Sequence, residues 1–388
     1  MALLSVLAMT ALLPASGYSL QVKPADATAL RVQSIGFGPT TTVNWKFPYI
    51  RWSFQPKPET AQITAFEMKV NGKVVTPEAD PPRKQYLYSP VEGFGPGKYD
   101  VECKVTLDNK AFFLKKFSFQ IGEGAESVAP PPSAAQKLVM DEVNAIHQEM
   151  GHPQSIPNDI LSYVAQKHSD YMAANGALVH DQVDGKPGFF GANSIDRLAN
   201  YGMTNLVNEV LGHDAGNLKA TVREVYHAPY HRISFLVPGP VCLGAGINNG
   251  FITILNGSQV LDKTILSGPA PDQKNIPLQW DCTEKPSPLR STGKTTGITG
   301  YPVVALIYGY LLQDLSDFTC SLKLDGKDVP MLSLTPGNDE FLKRAVIMIP
   351  NNPLLPNRKY DATFSCKVKD QVVSKEWSFT TAAKYSLR

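Results

Sequence analysis

The sequence of 388 residues predicts a multi-domain fold in which two all-β sandwiches flank an α+β middle domain. The chain is longer than one domain, which usually contains about 100–200 residues. Short strands separated by turns are predicted near both ends of the chain. In the region between the two ends, hydrophobic residues recur at the spacing of an α-helix. The predicted segments are a signal peptide at 1–17, a sandwich at 18–123, a proline-rich linker at 124–134, the middle domain at 135–262, a second linker at 263–275 and a second sandwich at 276–388.

The first residues, MALLSVLAMTALLPASG, have the pattern of a secretory signal. An uncharged apolar run from Ala2 to Leu13 is followed by small residues, as at a cleavage site. The run is shorter than the ~20 residues that span a bilayer. We therefore expect a secreted, periplasmic or cell-surface protein with no transmembrane span in the mature chain. The net charge of +2 gives no reason to expect a nucleic-acid partner.

Two segments near the ends of the chain resemble one another. The first contains FEMKVNGKVV and GKYDVECKVTLDNKAFFLKKFSFQ, and the second contains FTCSLKLDGKDV and RKYDATFSCKVKDQVVSKEWSFT. Asn71-Gly72 and Asp325-Gly326 predict tight hairpin turns, because these residues accept positive φ at low cost. The alternation of Tyr360, Ala362, Phe364 and Cys366 directs one face of a strand inward. The sequence therefore predicts two copies of one β-sandwich module.

Between the sandwiches, the apolar spacing predicts four helices and a terminal hairpin. The predicted helices start after Ser133, near Ser155, near Asn193 and at Leu218. Two strands follow, VCLGAGI and FITILNG. Pro229 interrupts the last helix, because proline lacks an N–H and clashes with the preceding turn. We expect two short helical segments around this residue.

The five cysteines show no CxxC spacing, so neither a zinc knuckle nor a redox pair is predicted. In an oxidising compartment we expect a disulfide between Cys320 and Cys366, which lie on two strands of the last sandwich. Cys242 with Cys282 is a second candidate pair, which leaves Cys103 free. The alternative is five reduced, packed thiols.

The middle domain contains five short motifs in a fixed order. They are AQKHSDYMAANGALVH at 165–180, DRLANYG at 196–202, NEV at 208–210, YHAPYHR at 226–232 and VCLGAGI at 241–247. In this order they resemble the CAP superfamily (cysteine-rich secretory, antigen 5, pathogenesis-related; SCP-like) in its bacterial form. The resemblance implies a central α/β/α sandwich, export, and a cleft lined by His and Glu. The flanking sandwiches are expected to be Ig-like.

Carried over from the family, the cleft residues are His180, Glu209 and His231, with Glu224 as the nearest candidate for a second glutamate. Two imidazoles and a carboxylate that converge can bind a divalent metal such as zinc, with His180 and His231 as ligands. The same groups can instead hold a water molecule for acid–base chemistry.

Three neighbouring residues receive structural interpretations. His168 is expected to pack within its helix, and His227 to lie solvated at a helix end. Arg232 is expected to form a structural ion pair or cap.

Three functions follow from these residues. The first is a secreted binding protein whose cleft holds a metal, a lipid or a peptide, with an extracellular or cell-surface partner. The second is an extracellular scaffold or adhesion protein with a vestigial cleft. The third is a metal-dependent hydrolase or peptidase. Binding is preferred over catalysis, because no nucleophile has a base at a readable spacing.

Overall fold

The computed structural model describes residues 4–5, 30–81, 84–203, 207–213, 216–236, 241–257 and 263–384. The predicted signal peptide lies outside these ranges except for Leu4 and Ser5, which form a two-residue strand, β1, beside β17 (Glu284–Lys285). The described part of the chain is multi-domain and mostly β-sheet, and it contains few helices. Among them, no helix combines the length and the apolar character needed to cross a membrane.

The described residues divide into two compact units. One contains the described parts of Met1–Met9, Pro130–His180 and Asn205–Arg388. The other contains those of Thr10–Ala129 and Asp181–Thr204. The candidate site residues His180, Glu209, Glu224 and His231 all belong to the first unit.

In the second unit, two sheets form a β-sandwich. One sheet has the spatial order β2 (Arg31–Gly38), β4 (Ile50–Lys57), β8 (Gln85–Tyr88), β7 (Glu78–Asp80). The other has the order β3 (Thr42–Trp45), β10 (Ala111–Glu126), β9 (Gly97–Leu107), β5 (Ile63–Val70), β6 (Lys73–Val75). The sheets meet through aromatic rings: Phe66 of β5 stacks on Tyr86 of β8 with the ring centroids 3.8 Å apart. This stacking contributes on top of the buried apolar area.

The first unit ends in a sandwich with a matching strand order, except that it has no counterpart of β3. One sheet runs β15 (Thr264–Gly268), β19 (Val303–Tyr308), β23 (Ala345–Pro350), β22 (Met331–Leu334). The other runs β21 (Lys327–Asp328), β20 (Leu315–Leu324), β24 (Lys359–Val368), β25 (Gln371–Thr380). A two-stranded sheet pairs β16 (Gln279–Asp281) with β18 (Ile298–Gly300). In each sandwich, one sheet joins two early strands to a later hairpin. These are β2 and β4 with the hairpin β7–β8, and β15 and β19 with the hairpin β22–β23. The repeat predicted from sequence therefore extends to the topology.

The hairpin turns form as predicted. Asn71 and Gly72 have φ values of 49° and 76°, and Asp325 and Gly326 have 50° and 76°. Two successive positive φ values define the turn whose twist matches that of paired strands. One boundary differs from the prediction: the segment assigned to the second linker, 263–275, begins with β15, which pairs antiparallel with β19.

The predicted Cys320–Cys366 disulfide is wrong in this structure, because both thiols are free. Cys320 stands directly opposite Phe364 on β24, so Cys366 occupies the diagonal position. Diagonal side chains of neighbouring strands lie about 7–8 Å apart, whereas a disulfide brings the Cβ atoms to about 3.5–4.5 Å. Cys242, Cys282 and Cys103 are also free, so the second predicted pair is absent too. Burial raises the pKa of the Cys103 thiol to about 12 and thereby keeps it protonated.

The middle segment contains a four-stranded sheet with the order β11 (Ile156–Pro157), β13 (Cys242–Asn248), β14 (Phe251–Gly257), β12 (Val207–His213). Its helices are α1 (Ala134–Glu149), α2 (Asp159–Asn175), α4 (Leu218–His227) and α5 (Pro229–Phe235); α3 (Ser194–Ala199) belongs to the other unit. The predicted helices and the hairpin are confirmed. Strand β12 had no sequence prediction.

The helix boundaries follow from local capping. Ser133 and Gln136 form a reciprocal capping box at the start of α1. The Asn158 side chain accepts a hydrogen bond from the Leu161 N–H at the start of α2. Gly176 ends that helix in the left-handed conformation at φ 60°. The predicted interruption at Pro229 separates α4 from α5.

Helices cover both faces of this sheet. On one face, a Cβ added to Gly244 or Gly246 would meet the backbone of α2. The same face carries Thr253, whose hydroxyl lies 2.9 Å from Ser169 Oγ on α2. On the other face, Leu243 and neighbouring apolar residues belong to a core shared with α1 and α4. The alternation along β13 is therefore small residue toward α2 and apolar side chain toward α1.

Candidate functional site

Glu209 lies on β12, on the face of the sheet that carries α2. It stands opposite Leu255, two residues from Thr253 on β14, so the pleat directs it to the side of Ser169. Only 1% of its side chain is exposed. A buried carboxylate is costly unless charged or hydrogen-bonding groups compensate for its lost hydration.

Two histidines supply that compensation. His180 Nδ1 lies 2.9 Å from Glu209 Oε1, and His168 Nε2 lies 3.8 Å from the same oxygen. His168 Nε2 is also 3.0 Å from the Val179 carbonyl oxygen, which can only accept, so this nitrogen carries a proton. The prediction that His168 is a packed helix residue is confirmed, since it is fully buried. Its proximity to the carboxylate was not predicted.

The hydrogen bond to Glu209 determines the tautomer of His180. An ionised carboxylate only accepts, so the neutral imidazole donates through Nδ1–H and places its lone pair on Nε2. The His180 side chain retains 14% exposure, against 1% for Glu209. The pair thus links a buried carboxylate to a side chain that reaches the surface.

His231 has a different carboxylate partner. Its Nδ1 lies 2.7 Å from Oε1 of Glu284, a residue of β17. The same carboxylate accepts the backbone N–H groups of Tyr230 (3.3 Å) and His231 (3.0 Å) in the first turn of α5. Glu284 is fully buried. No sequence motif pointed to this residue, because it lies beyond the middle domain and the whole predicted linker that follows.

Glu224 lies exposed on α4, whereas Glu209 and His231 are buried and His180 is half-buried. The structure pairs His180 with Glu209 and His231 with Glu284. Within the described ranges, no group of three or more His, Cys, Asp or Glu side chains is arranged to hold a metal ion. Zinc takes three or four protein ligands, so these residues do not fit a zinc centre, and we derive no step through that metal.

Arg232 forms the predicted cap. Its guanidinium donates to the carbonyl oxygens of Tyr226 (3.0 Å) and His227 (2.8 Å), the last residues of α4. It also donates to the carbonyls of Gly268 and Pro302 in the C-terminal sandwich. The side chain is fully buried. Arg232 therefore holds the two short helices that carry His231 against the sandwich.

His227 is half-buried and bonded to another side chain, contrary to the interpretation that it is solvated. Its Nδ1 lies 2.8 Å from the Tyr301 hydroxyl. Burial lowers the pKa of His227 to about 3, and the positive charges of Arg232 and Arg223 act in the same direction. The sequence could not show this, because Tyr301 lies 74 residues away.

The His227 pKa predicts acid sensitivity. In the unfolded chain the pKa of His227 is about 6.5. Between about pH 6.5 and pH 3 the unfolded state therefore binds a proton that the folded state does not. Its contribution to stability is complete above about pH 6.5 and falls by up to about 1.4 kcal/mol per pH unit on acidification. We expect His227→Gln to flatten this part of a urea-denaturation pH profile. An unchanged slope would contradict the assignment.

Comparisons with known proteins assign no family. No protein-family model and no curated protein sequence matches the chain. Its fold is similar to an extracellular protein containing an SCP domain from Bacillus anthracis str. Ames, at 16% identity and a TM-score of 0.28, over 45% of this chain and 64% of that one. The chain thus spans less than two thirds of that protein.

Two further solved structures are also weakly similar to the chain. CopC from Methylosinus trichosporium OB3b is 12% identical, with a TM-score of 0.20, over 24% of this chain and 94% of that one. SGBP-B of the Bacteroides ovatus mixed-linkage glucan utilization locus is 7% identical, with a TM-score of 0.19, over 93% of this chain and 71% of that one. These likenesses assign no activity, and the CAP resemblance stays a prediction.

Proposed function

We propose that this chain is a secreted binding protein whose middle segment is a CAP-type module with a three-layer α/β/α core. The support is that α2 covers one face of the central sheet, while α1 and α4 cover the other. The ordered motifs that resemble the CAP superfamily lie on these elements and on the segment that contains α3. The ligand site is the surface beside His180.

The observation that carries the proposal is the hydrogen bond between the buried Glu209 carboxylate and the partly exposed His180. The carboxylate holds the His180 Nδ1–H, so the ring keeps a fixed orientation. Its Nε2 is buried, so a ligand would pack against the exposed part of the side chain. A lipid and a peptide are the two ligand classes that can offer an apolar surface there.

We expect His180→Gln and Glu209→Gln to abolish ligand-induced stabilisation. The purified full chain would be extracted for bound lipids by mass spectrometry, and its thermal unfolding followed with cholesterol, palmitate and a short-peptide library. His213→Gln is the matched control, because His213 lies on the same strand and contacts Phe251 through its ring. The control should respond as the wild type does. A wild-type protein that neither carries nor responds to any of these probes would refute the proposal.

A scaffold role is the second candidate. It is favoured by the two sandwiches, which share most of their strand order and repeat one module. Under this alternative, variants at His180 and Glu209 would bind a surface partner as the wild type does. The hydrolase alternative stays a prediction from the sequence.

A further inference from the structure

The two sandwiches differ at one equivalent loop. In the N-terminal copy, residues 58–62 join β4 to β5, and Glu59 and Thr60 are exposed there. In the C-terminal copy, the tip loop (residues 309–314) joins β19 to β20, the strands that hold the same places in the topology. The tip loop reads GYLLQD, whereas the loop of the first copy, PETAQ, has no large apolar residue. The module therefore folds without an apolar loop at this place.

The two leucines of the tip loop are exposed to solvent. Leu311 is 62% exposed and Leu312 is 44% exposed. Among the large apolar side chains that are exposed in the described residues, they alone are neighbours in the chain. A short 3-10 turn holds them, in which the Asp314 N–H donates to the Leu311 carbonyl oxygen at 3.1 Å. Single exposed apolar residues are ordinary, but an adjacent pair held by a turn indicates an interaction surface.

Two cations lie against tyrosines beside the tip loop. Lys263 Nζ stands 5.1 Å from the centroid of the Tyr310 ring. The Arg344 guanidinium stands 5.6 Å from the centroid of the Tyr308 ring, at the end of β19. Among the described residues, neither cation forms an ion pair. The apolar pair therefore has aromatic rings and uncompensated positive charge next to it.

The carboxylates that begin β20 are already paired. Lys369 Nζ lies 3.9 Å from Asp314 Oδ2, and Lys367 Nζ lies 2.8 Å from Asp317 Oδ2. Both lysines come from the end of β24 and the turn that follows it. These two carboxylates therefore do not offset the cations that lie on the tyrosines, and the tip loop suits an anionic surface.

The size of the apolar pair indicates what kind of surface it meets. A stable protein interface buries about 800 Å² on each partner and uses roughly 20–30 residues a side. Two leucines on one turn supply far less than this. A bilayer, in contrast, admits a few apolar side chains at its interface, with tyrosine at the level of the headgroups and lysine or arginine directed at anionic lipids. The tip loop and its neighbours present these three kinds of side chain together.

We propose that the tip loop docks the protein on an anionic lipid bilayer, with Leu311 and Leu312 entering the interface. Lys263 and Arg344 then face the headgroups. This inference goes beyond the binding function proposed above, because the tip loop shares no residue with the ligand site beside His180. It gives the C-terminal sandwich a role of its own, which is to hold the molecule on a membrane surface.

A tryptophan in the tip loop would report insertion directly. The four native tryptophans are at most 6% exposed, so they contribute a constant background. We expect the emission of the Leu311→Trp full chain to shift to the blue on vesicles of phosphatidylglycerol and phosphatidylcholine in equal parts, and to be quenched by brominated lipid. Leu355→Trp is the matched control and should show neither change. Leu355 is 52% exposed, in the loop between β23 and β24 at the opposite end of the same sandwich.

Vesicle flotation would measure how much each side chain contributes. Leu311→Ser/Leu312→Ser should lower the partition coefficient of the full chain about 10-fold or more, because binding scales with the apolar area that enters the interface. Leu355→Ser should leave it unchanged. Lys263→Gln should weaken binding to the mixed vesicles about fivefold and leave binding to pure phosphatidylcholine as it was. Circular dichroism would verify that the serine variant folds, as the polar loop of the N-terminal copy leads us to expect.

Four results would overturn the proposal. One is a wild type that binds neither kind of vesicle. Another is unshifted Leu311→Trp emission on vesicles that do bind the protein, since the contact would then lie elsewhere. A third is a wild-type dimer that the double serine substitution makes monomeric in ultracentrifugation, because a second copy would then cover the leucines. The last is an equal loss of vesicle binding from His180→Gln, which would move the lipid contact to the ligand site.

Discussion

Replacing Arg232 with methionine is expected to destabilise the chain by about 4 kcal/mol or more, or to prevent folding. Methionine fills much of the volume but donates no hydrogen bond. The four carbonyl oxygens that the guanidinium satisfies would therefore lose their donor in a buried site, at about 1–3 kcal/mol for each unsatisfied group. The guanidinium also lies 4.4 Å from the Tyr301 ring centroid, and this cation–π contact would be lost.

The measurement is urea denaturation of the full chain, followed by circular dichroism. Arg223→Met is the matched control, since Arg223 lies on α4 and pairs with Glu142 and Glu149 while 31% of its side chain remains exposed. Such partly exposed ion pairs contribute about 1 kcal/mol or less. If the two substitutions lowered the free energy of unfolding equally, the carbonyl contacts of Arg232 would stabilise the fold no more than the ion pairs of Arg223 do.

Adding a single methyl group at Gly246 should have a comparable effect. A Cβ at this position would lie 2.2 Å from the backbone carbon and oxygen of Ala165 on α2. These atoms belong to the helix backbone and cannot rotate away, so α2 must move off the sheet. The movement would strain the bonds between the Gln166 side chain and the backbone of Ile247, at 2.8 and 3.1 Å. We expect Gly246→Ala to cost about 3 kcal/mol or more.

Two other strand glycines, Gly212 on the same sheet and Gly124 on β10, check the reason. At Gly212 the added Cβ would lie 3.2 Å from methyl groups of Thr221 and Val225, which can give way by a few tenths of an ångström. Gly212→Ala should therefore destabilise less than Gly246→Ala. At Gly124 nothing lies within 4 Å, so Gly124→Ala should be nearly neutral. Thermal unfolding of the three variants would test this order, and a reversed order would contradict the packing of α2 on β13.

What the sequence determined by itself is the local geometry. The turns at Asn71-Gly72 and Asp325-Gly326 form where predicted, because tolerance of positive φ belongs to those residues. The starts of α1 and α2 follow from Ser133 and Asn158, whose side chains satisfy nearby backbone N–H groups. The repeat of the sandwich module was readable because its strands and turns recur in the same order.

The tertiary structure alone decided which distant residues meet. His231 finds its carboxylate in Glu284, 53 residues later, and His227 contacts the Tyr301 hydroxyl. The strand register places Cys320 opposite Phe364 and so prevents its bridge to Cys366. These outcomes depend on how helices and sheets pack, since register and burial are set by the whole core and not by neighbouring residues. For this reason the sequence named His180, Glu209 and His231, but only the fold assigned each histidine its partner.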